Sequence, residues 1–298
     1  MRSSVQIGGG ASAKNQSYVK DRRLVRAFGT RRSGNHAILQ WLTLNLAPER
    51  HIHFDQAKIG FNPEHAGSCE IDGERLFPRK GMSKIQAANY AKRIADADLV
   101  TVFYEEQDVG EWLAKSPNVS LGYDMYPSLN VLIYRDFLNW LASVRRHPEG
   151  LGGTERYDVN QLATLFGAAH HWKGTVKRAF GGFSELKFPI VPVFFDSWAT
   201  DTSYRQSILD QLNLPHLHLD LPPTTGVYGG GSSFEGKGPR PKGRDVTQRW
   251  RNYIEDEDFI QLLGMMLRDV SLKTILETHF PQTYHNIEEH FPRALANI

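Results

Sequence analysis

The sequence is 298 residues long, 40% of them hydrophobic and 23% charged, a composition typical of a globular protein with a sizeable core. Its longest apolar stretches, at 129–134 and 188–195, are far shorter than the roughly 20 residues of a transmembrane helix, and the polar N-terminus has no apolar signal-peptide core. A net charge of +2 gives no general attraction to nucleic acid, and the single Cys69 excludes an internal disulfide. We therefore expect a cytoplasmic protein that binds neither membranes nor nucleic acid.

Short apolar strands alternate with helices after residues 1–22, which we expect to be a flexible N-terminal segment. The predicted strands lie at 24–28, 99–104, 129–134 and 190–195. The first predicted helix begins at Asn35 and ends before Pro48. Further helices are predicted at 83–98, 109–115, 136–146, 159–180, 202–212 and 255–276. Strands that are apolar throughout and separated by helices predict an α/β fold, with a central parallel sheet flanked by helices on both faces. We expect one domain, at 23–298.

The segment between the first strand and the first helix reads FGTRRSGNH over residues 28–36. A strand, a tight turn and a helix N-terminus place backbone N–H groups and the positive end of the helix dipole around one point, where an anion binds. Arg31, Arg32 and Ser33 add charge and a hydroxyl. Because the Gly-Lys-Ser/Thr ending of a Walker A motif is missing, this pattern disfavours an ATP-dependent phosphotransferase. A basic surface turn without a ligand is the alternative.

Two further segments carry basic residues in suggestive places. Arg135 leaves a buried strand as a helix begins, at the sheet edge where the carboxyl ends of the strands form a ligand crevice, and Ser143 follows about two helical turns later. Residues 222–244 are rich in Gly, Pro, Ser and Lys and predict a long functional loop. Its basic residues, with Arg249 and Arg251 beside Trp250, suit a phosphate and a stacked base. Taken alone, Arg135 is equally compatible with a structural ion pair, and the basic run with a solvated surface.

Together the three segments resemble the sulfotransferase superfamily that uses 3′-phosphoadenosine 5′-phosphosulfate (PAPS). The resemblance rests on RRSGNH at 31–36, on Tyr-Arg-Asp followed by Ser143, and on Ser-Ser-Phe and Lys-Gly followed by Trp-Arg-Asn, and it runs from about Val25 to Tyr253. It implies a P-loop NTPase-like sulfotransferase fold, PAPS as the cofactor and adenosine 3′,5′-bisphosphate (PAP) as its product, with no metal required.

The resemblance also implies roles for individual residues. The backbone of Ser33, Gly34, Asn35 and His36 would hold the 5′-phosphosulfate, and Arg32 takes the place of a catalytic lysine. Arg135 and Ser143 would hold the 3′-phosphate. The other implied cofactor-binding residues are Phe195, Ser232, Phe234, Arg240, Lys242 and Gly243. Two departures are evident: Ala37 replaces an adenine-stacking tryptophan, and the run from Lys242 to Trp250 is two residues longer than the cytosolic pattern, so that Arg240, Lys242 or Arg244 could meet the 3′-phosphate.

Sulfuryl transfer needs a base for the acceptor's proton. Cytosolic relatives place a histidine after the strand that corresponds to 99–104, whereas this chain has Glu105 and Glu106. Two adjacent carboxylates at a strand end can raise one pKa toward neutrality, so we predict that Glu105 or Glu106 is the base. The alternative is that one caps the next helix and the other is solvated. His36 and His53 are the next candidates.

The expected reaction transfers the sulfuryl group from PAPS to a hydroxyl or amine of a small-molecule acceptor, in a monomer or homodimer. Acidic residues near the base favour an amine-bearing acceptor. A P-loop kinase, which needs a nucleoside triphosphate and magnesium, and a non-catalytic nucleotide-binding module, which needs only the anion pocket, are the alternatives.

Overall fold

The computed structural model describes residues 23–58, 68–76, 92–93, 96–110, 128–145, 159–182, 189–222 and 246–296. The strands are β1 (Arg23–Gly29), β2 (His51–Asp55), β3 (Ser68–Ile71), β4 (Glu74–Leu76), β5 (Leu99–Glu105), β6 (Ser128–Tyr134) and β7 (Val191–Phe194). The helices are α1 (Asn35–Leu46), α2 (Phe137–Arg145), α3 (Val159–Gly181), α4 (Phe195–Thr200), α5 (Thr202–Gln211), α6 (Glu257–Leu267), α7 (Val270–His279), α8 (Pro281–His290) and α9 (Pro292–Leu295), with a 3₁₀ helix at Arg249–Tyr253.

The strands form one mixed sheet in the order β4-β3-β2-β5-β1-β6-β7. Five of them are parallel, from β2 to β7, and β3 and β4 add an antiparallel edge. The chain runs from β1 to β2 on one side and, after β5, crosses to β6 on the other side. In open α/β sheets a ligand crevice forms at such a switch point, outside the carboxyl ends of the strands. The end of β1, at Gly29, therefore marks the place to look for a site.

Both faces of the sheet are covered, as the apolar strands predict. On β1, Val25 and Ala27 pack in a cluster with α1 and α5, whereas Leu24 and Phe28 point to the opposite face. That opposite face meets Ala179 of α3. The predicted α/β fold with helices on both faces is confirmed at this level. None of the described helices is long and apolar enough to cross a membrane.

Several element boundaries differ from the prediction for identifiable reasons. The predicted helix at 255–276 is two helices, because the Asp269 side chain accepts hydrogen bonds from the Ser271 and Leu272 amides and so caps a new helix. Phe195, predicted to end a strand, begins α4 instead. Most of the predicted helix at 83–98 lies outside the described residues. The same is true of the predicted helix at 109–115 after residue 110, and of residues 1–22.

The antiparallel edge and the short strand β2 were not predicted. Asp72 and Gly73 have φ angles of 52° and 83° between β3 and β4, the left-handed pair of a type I′ hairpin. An Asp-Gly pair between two short strands is the signal that could have identified this hairpin.

Candidate functional site

The loop Thr30–Gly34, called the anion loop below, joins β1 to α1 at the switch point. The Thr30 and Ser33 hydroxyls are 2.6 Å apart, and the Asn35 side-chain amide donates to the Thr30 carbonyl at 2.8 Å. Ser33 is fully buried, so its hydroxyl braces the loop from inside. What the loop offers a ligand is therefore the first-turn amides of α1, the helix dipole and the two arginines.

Two residues of the loop have left-handed backbone conformations, and at one of them there is no space for a side chain. Gly34 has a φ of +85°, and a Cβ there would lie 2.0 Å from Cδ2 of Phe195. Arg32 is also left-handed, with a φ of 65°. Phe195 is buried beneath the loop and stacks under the Arg135 guanidinium, whose Cζ lies 4.6 Å from the ring centroid. Phe195 thus supports the loop in this structure, and its predicted contact with a nucleotide stays a prediction.

Arg135 lies behind the anion loop and is only 1% exposed. Its two terminal nitrogens donate to the carbonyls of Arg32 and Val246. The Trp140 indole, on α2, donates to the Arg31 carbonyl at 3.0 Å. These hydrogen bonds to backbone carbonyls hold Arg31 and Arg32 of the loop from the buried side. Ser143 is buried on α2, and the predicted 3′-phosphate role of Arg135 and Ser143 stays a prediction.

The Asn139 side chain holds the chain that returns to this edge after residue 245. Its amide nitrogen donates to the carbonyl of Thr247, and its oxygen accepts from the Arg249 amide at 2.9 Å. The amide nitrogen also lies 3.1 Å from Asp196, which accepts the Asp136 amide at 2.7 Å. The pKa of Asp196 is raised to about 7, mainly because the group is buried; Arg135 opposes this shift and the neighbouring Asp136 contributes to it. The segment at 247–249 is therefore held in place by Asn139, which is itself anchored on a buried carboxyl group.

Glu106 is tied to the anion loop. Its carboxylate binds the Arg31 guanidinium through both oxygens, with Nη2 at 2.7 Å, and its backbone amide donates to the Gly29 carbonyl at 2.9 Å. A bidentate pair of this kind fixes the planar guanidinium in one orientation. Arg31 remains partly exposed, with 40% of its side chain accessible. Glu106 therefore orients a cation of the loop.

Glu105 is the better placed of the two predicted bases. It is the register partner of Gly29, the residue just before the anion loop, and it is only partly exposed. Burial, the largest cause, raises the pKa of Glu105 to about 7, and the charges of Asp55 and Glu106 add to this effect. Arg31 and Arg32 act in the opposite direction. A carboxyl group with a pKa near neutrality can both accept and release a proton at working pH.

Asp55 and His36 lie at the same edge of the sheet. The sequence analysis did not identify Asp55. Asp55 ends β2, and its Oδ1 lies 3.5 Å from Nε2 of His36, the second residue of α1. His36 also meets Phe103 edge to face. Burial lowers the pKa of His36, with Asp55 opposing and Arg32 adding to that shift. The alternation of His51, His53 and Asp55 on one face of a strand is the signal that could have indicated Asp55.

Two histidines of β2, the partly exposed His51 and the buried His53, share one hydroxyl. His51 Nε2 lies 2.9 Å and His53 Nδ1 2.6 Å from Oγ1 of Thr101 on β5. Burial lowers the pKa of both imidazoles, that of His51 to about 4. These contacts make His53 a neutral structural residue, which argues against its role as the base.

The lowered pKa of His51 predicts a change in acid stability. An unfolded histidine titrates near 6.5, so the native state binds this proton less readily, and stability present above about pH 6.5 is lost as the pH falls toward 4. In His51→Gln this loss is absent. Between pH 7 and pH 4 the variant's free energy of unfolding should fall by about 3 kcal/mol less than that of the parent. Urea unfolding at both pH values measures this, with the exposed His171→Gln as control. Parallel curves for parent and His51→Gln would contradict the assignment.

The remaining predicted site residues all belong to the segment 222–244. Ser232, Phe234, Arg240, Lys242, Gly243 and Arg244 lie outside the described residues. Among the described residues, no three His, Cys, Asp or Glu side chains are grouped so that they could hold a metal ion. The described edge thus combines an anion loop with a carboxyl group that titrates near neutrality.

No protein-family model, curated protein or solved structure matches the chain.

Proposed function

We propose that the protein is a sulfotransferase with a P-loop-like domain, which transfers the sulfuryl group of PAPS to a hydroxyl or amine of a small-molecule acceptor. The observation that carries the proposal is the juxtaposition of the anion loop with Glu105. Gly29 and Glu105 are register partners, so an anion held at the loop and a group deprotonated by Glu105 would be neighbours. The resemblance of the three sequence segments to the PAPS-dependent family supplies the identity of the anion.

The residues at the loop suit a phosphosulfate. The N-terminus of a 12-residue helix, Arg31 and Arg32 provide positive charge. The close approach of Phe195 to Gly34 fits a loop whose shape is fixed before an anion arrives. Arg135 and Ser143 would hold the 3′-phosphate, as the resemblance implies. The resemblance also implies that other residues contribute to the cofactor site, namely Phe195, Ser232, Phe234, Arg240, Lys242 and Gly243.

In the proposed reaction PAPS supplies the sulfuryl group, and the bond from sulfur to the acceptor forms as the bond from sulfur to the leaving phosphate oxygen breaks. Glu105, ionised, takes the proton of the acceptor hydroxyl or amine. Arg32 remains charged at every working pH and stabilises the negative charge on the leaving oxygen by charge and hydrogen bonding, without giving up a proton. Glu106 keeps Arg31 oriented beside the anion.

Titration with PAP in EDTA, followed by calorimetry, tests the cofactor class, with ADP and with ATP plus magnesium as comparators. We expect metal-independent binding of PAP that is tighter than binding of ADP. Preference for ATP with magnesium would instead favour a phosphotransferase. Absence of binding by any nucleotide would overturn the proposal. Tight PAP binding without transfer to any acceptor in a screen of phenols, sugars and amines would indicate a nucleotide-binding module.

Arg32→Ala should weaken PAP binding about 10- to 100-fold, because a charge-assisted contact contributes roughly 1.5–3 kcal/mol. Arg50→Ala is the matched control: Arg50 precedes β2 at the opposite end of the sheet, where it pairs with Asp96. Calorimetry of both variants measures the difference. Equal affinities for the two variants would remove Arg32 from the anion site.

A further inference from the structure

Asp55 and Glu105 lie on the same face of the sheet, near the ends of two neighbouring strands. β2 and β5 are parallel neighbours, and their carboxyl ends meet at the same edge. Ile52 and Phe54 pack on one face with Val102 and Tyr104, so Asp55 and Glu105 alternate to the other face, where Phe103 packs among residues of α1. His36 comes from α1 and contacts both Asp55 and Phe103. Three titratable side chains from three elements therefore converge next to the anion loop.

This arrangement is unfavourable for stability alone. Asp55 is mostly buried, and its charge acts on a second carboxyl group that is itself largely withdrawn from water. Like charges in such a place disfavour ionisation of both groups. Titratable groups that shift one another's pKa values cluster at functional sites, where they serve as acids and bases.

We infer that Asp55 is a positioning residue of this site, whose carboxylate orients His36 and governs when Glu105 takes or releases a proton. The inference rests on the proposed function for the role of Glu105 as base. The geometry of the three side chains does not depend on it. In the proposal Asp55 does not contact the reacting atoms, so it acts through Glu105.

The groups that face Glu105 determine the direction of the effect. Asp55 from β2 and Glu106 from the end of β5 disfavour its ionisation, while Arg31 and Arg32 from the loop favour it. His36 faces Asp55, Arg32 and His53. Removing the Asp55 charge therefore makes Glu105 ionise at lower pH. The same change removes the group that favours protonated His36.

Carboxyl ¹³C NMR of the full-length protein, labelled at glutamate, tests this without any need for activity. Glu105→Gln identifies the Glu105 signal. In Asp55→Asn and in Asp55→Ser, both of which remove the charge, the Glu105 titration should move to lower pH. The control is Asp98→Asn, which changes an aspartate that precedes β5 at the opposite edge and accepts the Glu49 and Arg50 amides. A Glu105 titration that is the same in Asp55→Asn, Asp55→Ser and parent overturns the inference.

The pH profile of sulfuryl transfer is the second measurement. The acid limb of kcat/KM should move to lower pH in Asp55→Asn and return toward the parent in Asp55→Glu, with PAP affinity unchanged within about twofold. A merely structural role would lower activity equally at every pH, and that outcome contradicts the inference. If PAP does not bind and no transfer occurs, the proposed function fails, while the NMR titration still decides whether Asp55 controls Glu105.

Discussion

Replacing Glu105 with glutamine should lower kcat for sulfuryl transfer by about 10²- to 10⁴-fold, the usual contribution of a general base. Glutamine keeps the size of the side chain but cannot accept the acceptor's proton. Affinity for PAP should change little, because Glu105 is proposed to act on the acceptor. Steady-state kinetics combined with PAP calorimetry separate the two effects. A fully active Glu105→Gln enzyme would exclude Glu105 as the base.

Glu106→Gln is the matched control, since it changes a neighbouring carboxylate in the same way. Glu106 orients Arg31 through both oxygens, so this variant should mainly weaken PAP binding and affect kcat less. The parent's pH profile provides an independent check. The pKa of Glu105 is raised to about 7. In the proposed reaction its ionised form is the active one, so activity should rise with pH through about 7. A profile flat from pH 6 to pH 8 would contradict this assignment.

Gly34→Ala should destabilise the protein by about 2–5 kcal/mol and abolish PAP binding. Two costs add here: a left-handed backbone costs a non-glycine residue roughly 1–2 kcal/mol, and overpacking costs roughly 1–3 kcal/mol. The overpacking is against Phe195, whose ring would lie 2.0 Å from the new Cβ. Urea unfolding measures the first effect and calorimetry the second.

Gly73→Ala separates these two costs. Gly73 has nearly the same φ, +83°, but a Cβ there meets nothing within 4 Å. It should lose only the roughly 1–2 kcal/mol of backbone strain and retain PAP binding. Phe195→Leu in the Gly34→Ala background should recover part of the stability by opening space. Equal destabilisation by Gly34→Ala and Gly73→Ala would show that Phe195 does not constrain the loop.

The central part of the fold could be predicted from sequence because its signals are local. The strands at 24–28, 99–104 and 129–134 are short runs rich in apolar residues, each with one polar residue, and each is present in the structure. β2 has alternating histidines instead of an apolar run, since its polar face contacts Thr101 and His36. Its character as a strand depends on neighbours distant in sequence, which periodicity does not reveal.

In the candidate site, too, features with a local sequence signal could be predicted, whereas features that depend on residues distant in sequence could not. The anion loop was predicted correctly as a strand-to-helix turn because FGTRRSGNH is contiguous in sequence. The different surroundings of Glu105 and Glu106 were not predictable: adjacent in sequence, they are separated by a left-handed turn at Glu106, with a φ of 55°, which directs Glu106 to Arg31. Asp55 becomes part of the site only through the pairing of β2 with β5.

The contact between Thr283 and Asp136 has a consequence for the order of events during synthesis. Thr283, on α8, donates its hydroxyl hydrogen to the Asp136 carboxylate, which also accepts the Asn139 amide at 2.9 Å. Asn139 in turn holds the chain at 247–249, beside the Arg135 contact to Val246. The contacts that support the anion loop come from Arg135, Trp140 and Phe195, and the network connected to them is complete only once residue 283 has left the ribosome. Completion of this edge of the sheet, and with it of the proposed anion site, should therefore be a late, cooperative event in the biogenesis of this protein.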